Sequence, residues 1–203
     1  MGVAIIAVIS YFIGNISPST MLGKKKGVDI RNSGSGNAGT TNALRILGAK
    51  SALITLLIDV LKGTLAVFIG RFAEPHVHCD FSFSLAMLCG LCVFIGHIWP
   101  VIYKFKGGKG VATAFGMLAA LDPVLGFSCL GIVAIVVLIS RMMSLASIIG
   151  AIAAVILTHY ILPDFFPLAV IMAGLLIFKH RSNIVRIVGG KESKFSFRLG
   201  GKS

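Results

Sequence analysis

Three short stretches hold most of the residues that could do chemistry. The first is Arg31-Asn32-Ser33-Gly34-Ser35-Gly36-Asn37-Ala38-Gly39-Thr40-Thr41-Asn42-Ala43-Leu44-Arg45, glycines mixed with hydroxyls and amides and closed by a base. The second runs from Gly96-His97-Ile98-Trp99-Pro100 to Lys104-Phe105-Lys106-Gly107-Gly108-Lys109-Gly110. The third is Lys179-His180-Arg181-Ser182-Asn183-Ile184-Val185-Arg186, followed by Gly189-Gly190-Lys191-Glu192. Glycines let backbone N–H groups approach an anion closely, and arginine clamps a phosphate through two parallel bonds. The chemistry these types suggest is recognition of phosphate.

Single motifs narrow this less than the set does. Gly34, Gly36 and Gly39 spell the dinucleotide fingerprint, with Asp59 twenty residues beyond, but that fingerprint needs a preceding strand in a βαβ unit. Thr40, Thr41 or Asn42 could instead cap a short helix whose N-terminus favours a phosphate, with Arg45 on that helix as a clamp. The lysine–glycine stretch lacks the spacing of a Walker A loop. An ordinary basic turn between spans would explain its lysines, but not its glycines. If the last span continues, His180 and Asn183 share a helix face at i, i+3.

His159 to Asp164 matches the His-x-x-x-x-Asp pattern of soluble and peripheral glycerolipid acyltransferases, but the topology below places it away from every basic loop. Cys89 and Cys92 form a CxxC inside an apolar run, without the second ligand pair that zinc requires. They are expected to be packing residues, as are Cys79 and Cys129. No metal cluster is evident, and neither a metal nor a cofactor is expected.

The elements that must position these stretches are membrane spans. Of 203 residues, 56% are hydrophobic and 13% charged, too apolar a balance for a soluble domain. Apolar runs lie at Gly2–Leu22, Ser51–Phe72, Phe81–Ile102, Val111–Leu121, Val124–Ser140, Ser144–Leu162 and Phe165–Phe178. They lack the period-2 alternation of barrel strands, so the expected class is all-α, a single polytopic membrane domain. All but two of the 19 Lys and Arg residues fall in Gly23–Lys50, Tyr103–Gly110, at Arg141 and from Lys179 onward. The alternate breaks hold Glu74, Asp80, Asp122 and Asp164. The positive-inside rule then predicts seven transmembrane helices, the N-terminus outside and the C-terminus cytoplasmic. The count turns on Val111–Leu121, which reaches only about 17 Å as a helix. If it did not cross, the basic tail would end on the wrong side.

A net charge of +12 would suggest nucleic acid in a soluble chain. Interrupted by spans, it points to anionic lipid or a small anionic substrate, and no nucleic acid is expected. The first run is read as a retained span because it lacks a basic leader and a small-residue cleavage site. Asp59 and Lys62, three apart near the centre of the second span, are expected to neutralise each other. The pair either fixes helix packing or takes part in substrate binding.

Taken together and in order, the three stretches resemble the bacterial membrane glycerol-3-phosphate acyltransferases that use acyl phosphate, the PlsY family. The departures are slight: Thr40 stands where many members carry Ala, and Val188 is a conservative choice. The resemblance implies acyl transfer from acyl phosphate to the 1-hydroxyl of glycerol 3-phosphate, giving lysophosphatidate and inorganic phosphate at the cytoplasmic face of the bacterial inner membrane. It implies a soluble partner enzyme that makes the acyl phosphate, and the chain is expected to be a monomer.

By the same resemblance, the Gly107-Gly108-Lys109-Gly110 nest would hold glycerol 3-phosphate. Ser35 and Arg45, with Lys104, would contact phosphate, and His180 and Asn183 would orient the reacting groups. Asn37, Thr41, Asn42, His97, Lys106 and Arg181 complete the implied substrate contacts, and Glu192 is cast as structural. The proton of the attacking hydroxyl would pass to a substrate phosphate or to His180, with no covalent intermediate. Which basic cluster takes which phosphate stays open. The rival from another class is a transporter of a phosphorylated metabolite, favoured by the glycine-interrupted spans and the Asp59–Lys62 pair.

Overall fold

The computed structural model describes residues 1–77 and 82–194. Cys79, Asp80, Arg198 and Lys202 lie outside the described residues. The described residues form ten α-helices in succession: α1 (Gly2–Gly14), α2 (Pro18–Lys25), α3 (Thr40–Leu47), α4 (Ala49–Ala73), α5 (Leu85–Ile98), α6 (Val111–Leu121), α7 (Pro123–Ser140), α8 (Met143–Ile161), α9 (Phe166–Lys179) and α10 (Arg181–Val188). The described residues contain no strand. Exposed Leu, Ile and Phe line the outer faces of α4 and α7, including Leu57, Leu61, Phe127 and Ile139. Such a surface fits lipid rather than water, and the chain is a multi-pass membrane protein.

Four helical stretches are long and apolar enough to cross a bilayer, namely Ala49–His76, Leu85–Tyr103, Pro123–Ser140 and Met143–Ile161. Two more qualify if each bent pair, α1 with α2 and α9 with α10, is one broken span. The expected run Gly2–Leu22 is therefore interrupted, with a 40° bend. Pro18 is the cause: it cannot donate to Gly14 O, and its ring would collide with that carbonyl in a continued helix. The bend orphans carbonyls inside an apolar bundle. Lys62 satisfies two of them, donating to Gly14 O at 3.2 Å and to Ile16 O at 2.8 Å.

A second proline ends α5. Pro100 stops the helix at Ile98, and three of the carbonyls at its end find donors. His97 O accepts from Gly108 N at 3.1 Å, Ile98 O from Lys179 Nζ at 3.1 Å and Trp99 O from the Tyr11 hydroxyl at 2.8 Å. These bonds tie the loop before α6 and the end of α9 to the tip of α5.

The short α6 runs alongside only half of α4. A Cβ on Gly63 would strike Thr113 O, and one on Gly116 would strike Val60 O, so the two backbones touch at the middle of α4. At the other end, Arg71 Nη2 donates to Leu121 O at 2.8 Å. Residues 104–110, before it, form a loop packed on α5, not a helix. Lys104 and Phe105 take left-handed φ of 53° and 59° there, and Gly110 at 89° opens α6. Fully buried Phe94, Met117, Leu125 and Phe165 join α5, α6, α7 and the start of α9 in one core.

Candidate active site

The first glycine-rich stretch is shaped by one buried amide. Asn42 Nδ2 donates to Ile30 O and to Ser33 O, both at 3.0 Å, and Oδ1 accepts from Ser35 N at 2.9 Å. Asn42 is thus spent on the loop. The helix cap expected of Thr40, Thr41 or Asn42 falls instead to Gly39, with no side-chain bond, because Asn42 lies within the first turn and faces backwards. Gly34 and Gly36 take positive φ of 61° and 69°, which folds Ser35 and Asn37 towards the start of α3. One turn further, α3 carries Arg45.

The second stretch wraps His97. Gly108 is buried against the imidazole, where a Cβ would overlap Nε2. The other ring nitrogen, Nδ1, lies 2.7 Å from Lys62 Nζ and 3.4 Å from Asp59 Oδ1, and Lys62 and Asp59 pair at 2.7 Å. All three side chains are buried, at 7, 3 and 1% exposure. The expected Asp59–Lys62 pair is present, and His97 is its third member.

The third stretch bends at His180, where α9 meets α10 at 60°. His180 and Asn183 are therefore not on one continuous helix, yet both face the same cavity. Its Nδ1 lies 2.9 Å from Leu176 O, and a carbonyl only accepts, so Nδ1 carries the proton and Nε2 of the neutral ring is an acceptor.

Glu192 then organises its surroundings. Oε1 accepts from Ser144 Oγ at 2.8 Å and from Asn183 Nδ2 at 2.7 Å, and Oε2 accepts from Arg186 Nε at 2.7 Å. Burial alone would raise its pKa, but these bonds and the Arg186 charge hold the carboxylate below its usual range. A carboxylate cannot donate, so it fixes the Asn183 amide with Oδ1 outward, where it accepts from Lys109 Nζ. Burial pulls the Lys109 ammonium down to about 8. The attraction of Glu192 opposes this, and repulsion from Arg186, Arg45 and Lys179 adds to it.

Ser35, Asn37, Thr41, Asn42 and Arg45 line a cavity of about 480 Å³ with His97, Lys109, Gly110, His180 and Asn183. Lys106, Gly107 and Arg181 line a different cavity, and Lys104 lines neither. Gly108 sits behind His97. Leu56, Phe115, Leu130, Val133, Met143, Ser144 and Ser147 also form the first wall. The sequence singled out none of these, since they are ordinary residues of apolar runs. His159 meets Tyr160 and Phe166 edge to face and lines neither cavity. No cluster of three or more His, Cys, Asp or Glu suited to a metal occurs among the described residues.

A family model described as glycerol-3-phosphate acyltransferase matches residues 4–190. The chain is 48% identical over 197 residues to the glycerol-3-phosphate acyltransferase of Finegoldia magna, with 94% of each protein covered. It is 43% identical over 191 residues to that of Thermoanaerobacter pseudethanolicus, with 93% of each covered. Its fold is similar to the crystal structure of PlsY, an integral membrane glycerol 3-phosphate acyltransferase, in the glycerol 3-phosphate form. The TM-score is 0.86 at 34% identity, over 97% of this chain and 96% of that one. The lysophosphatidic acid form gives 0.84 at 32%.

Proposed function

Because the chain belongs to the glycerol-3-phosphate acyltransferase family, we propose that it moves a fatty acyl group from acyl phosphate to the 1-hydroxyl of glycerol 3-phosphate. The observation that carries the reading is a single cavity with two kinds of lining. Ser35, Arg45, Lys109, His180 and Asn183 supply basic and hydrogen-bonding groups, and Leu56, Phe115, Leu130, Val133 and Met143 supply apolar surface. A phosphate suits the first and an acyl chain the second.

Acyl phosphate is a mixed anhydride, already activated. The glycerol hydroxyl attacks the acyl carbon, the new ester C–O bond forms, and the C–O bond to phosphate breaks with its electron pair leaving on phosphate. The hydroxyl proton passes to a substrate phosphate oxygen or to His180 Nε2, which is the free acceptor of that ring. Arg45 and Lys109 offset the phosphate charge, and positioning supplies most of the acceleration. Lys109 is in turn held by Asn183, whose amide Glu192 orients.

In the same reading the chain crosses the inner membrane seven times as a monomeric single domain, N-terminus outside. The bent pairs α1/α2 and α9/α10 each count as one crossing, and the short α6 as another. The basic loops and the cavity's polar groups then share the cytoplasmic side, where a soluble enzyme supplies acyl phosphate. The test is phosphate release and lysophosphatidate formation by the purified protein given palmitoyl phosphate, with palmitoyl-CoA in parallel. Release that requires glycerol 3-phosphate, with acyl-CoA inert, is the expected outcome. A folded preparation inert to both donors sinks the reading and turns attention to transport.

A pH profile tests the role of Lys109. A cation with a pKa near 8 is lost as pH rises through that value, so kcat/KM for glycerol 3-phosphate is expected to fall about tenfold per pH unit above it. Lys109→Arg keeps its charge, and the alkaline limb should vanish. A limb that persists unchanged in Lys109→Arg assigns the titration to another group.

A further inference from the structure

The second cavity, of about 510 Å³, is built from the same three stretches as the first but from different residues. Arg31, Lys106, Lys179 and Arg181 bring four bases to it. None of them makes an ion pair among the described residues. Lys179 Nζ donates to Ile98 O, Arg181 Nη1 donates to Phe178 O at 3.3 Å, and the Arg31 guanidinium lies 4.1 Å from the Tyr103 ring centroid. The one acid in the wall, Asp29, is spent on the Arg31 backbone N–H at 3.0 Å and on Asn32 Nδ2 at 2.8 Å. Four cations against one carboxylate leave the cavity strongly positive.

Arg31 says more. Its Nε and Nη2 are shut off from solvent and have no hydrogen-bond partner among the described residues. Buried donors rarely stay unpaired, and each such case asks for an unseen partner. With no room for a water beside them, these two nitrogens stay closed to the cavity as it stands. The charge of the same guanidinium, which no carboxylate pairs among the described residues, adds to that of Lys106, Lys179 and Arg181 at the cavity. A dianionic phosphate held there would balance it. Phe105 and Phe178, at 58 and 53% exposure, form an apolar wall beside the bases.

We propose that this second cavity binds a phosphate monoester, with Arg31, Lys106, Lys179 and Arg181 balancing its charge. The phosphate is carried either on a lipid or on a free anion, and the site is separate from the acyl-transfer cavity. The inference does not rest on the reaction assigned to that cavity. Because Lys179 and Arg181 flank His180, and Gly107 precedes Gly108, an occupant here would tie together the backbones that position the reacting end.

The test measures thermal unfolding of the full chain in phosphatidylcholine nanodiscs. One arm adds inorganic phosphate. The other dopes the disc with phosphatidic acid, a monoester, or with the same fraction of phosphatidylglycerol, a diester. The midpoint is expected to rise with phosphatidic acid or with inorganic phosphate, and the responding arm identifies the source. Arg31→Gln should weaken the response of the second cavity by roughly tenfold in ligand concentration, as loss of one balancing charge predicts. Arg45→Gln removes only binding in the first cavity, so the response that survives in it and is lost in Arg31→Gln belongs to the second. If Arg31→Gln unfolds without ligand, Arg181→Gln on the exposed rim carries the same comparison. No rise in either arm, an equal rise with phosphatidylglycerol, or loss in Arg45→Gln but not in Arg31→Gln overturns the proposal.

Discussion

Lys109→Met is expected to lower kcat/KM for glycerol 3-phosphate by roughly 10²–10³-fold, the scale set by removing one preorganised donor from a reacting anion. Arg186, the neighbouring base, is neutralised by Glu192. Among the described residues Lys109 hydrogen-bonds only the neutral Asn183 amide, which leaves two of its three donors for substrate. The methionine keeps the apolar stem and removes a buried charge, so the unfolding temperature should not fall. The kinetic split is informative. A drop in kcat assigns Lys109 to the charge that develops on the departing phosphate, and a rise in KM alone assigns it to ground-state binding. Unchanged kcat/KM would remove Lys109 from the mechanism.

The second large effect lies outside the cavity. Gly116→Ala is expected to destabilise the protein by about 1–3 kcal/mol, because the added methyl meets the Val60 carbonyl in a contact with no side chain to move aside. Gly116→Leu should not accumulate as a folded protein. At this crossing Thr64 Oγ1 donates to Gly116 O at 3.0 Å, a bond that forms only while the backbones stay close. Since α6 begins directly after Lys109 and Gly110, separating α4 from α6 also displaces the reacting end. Gly116→Ala should therefore lose activity at temperatures where it is fully folded. An unchanged unfolding temperature in detergent would show that the crossing has slack.

Much of the helical layout was legible in hydropathy. Apolar runs such as Ser51–Phe72 and Val124–Ser140 became α4 and α7 within a few residues, because lipid leaves backbone groups no other partner. The breaks were less legible. Pro18 and Pro100 are visible in the sequence, but a proline says where a helix stops, not which groups rescue its carbonyls. Lys62, Gly108, Lys179 and Tyr11 do so from between 46 and 88 positions away in four of those bonds and from 11 in the fifth.

The short run Val111–Leu121 was legible as short. That the loop before it packs on His97 depends on a partner helix that hydropathy does not name. The polar stretches likewise pointed to phosphate, but alternate residues along them face two different cavities. Lys106 and Lys109 are three apart and serve separate spaces. Loop φ angles decide that division, and composition carries no trace of them.

The trio of Asp59, Lys62 and His97 has a consequence for how such a chain can diverge. Lys62 also holds the carbonyls that Pro18 sets free, so neither Asp59 nor Lys62 can be lost alone without stranding a buried charge, a penalty of about 3–5 kcal/mol for a broken buried pair. Loss of His97 would open a gap beside that pair. Replacement of the whole set by apolar residues is far less costly in principle, but it would need several simultaneous changes and a different way to end α1. Between those two states lies a fitness valley. The three positions and the proline are thus expected to be inherited as one unit, kept together by the cost of every intermediate.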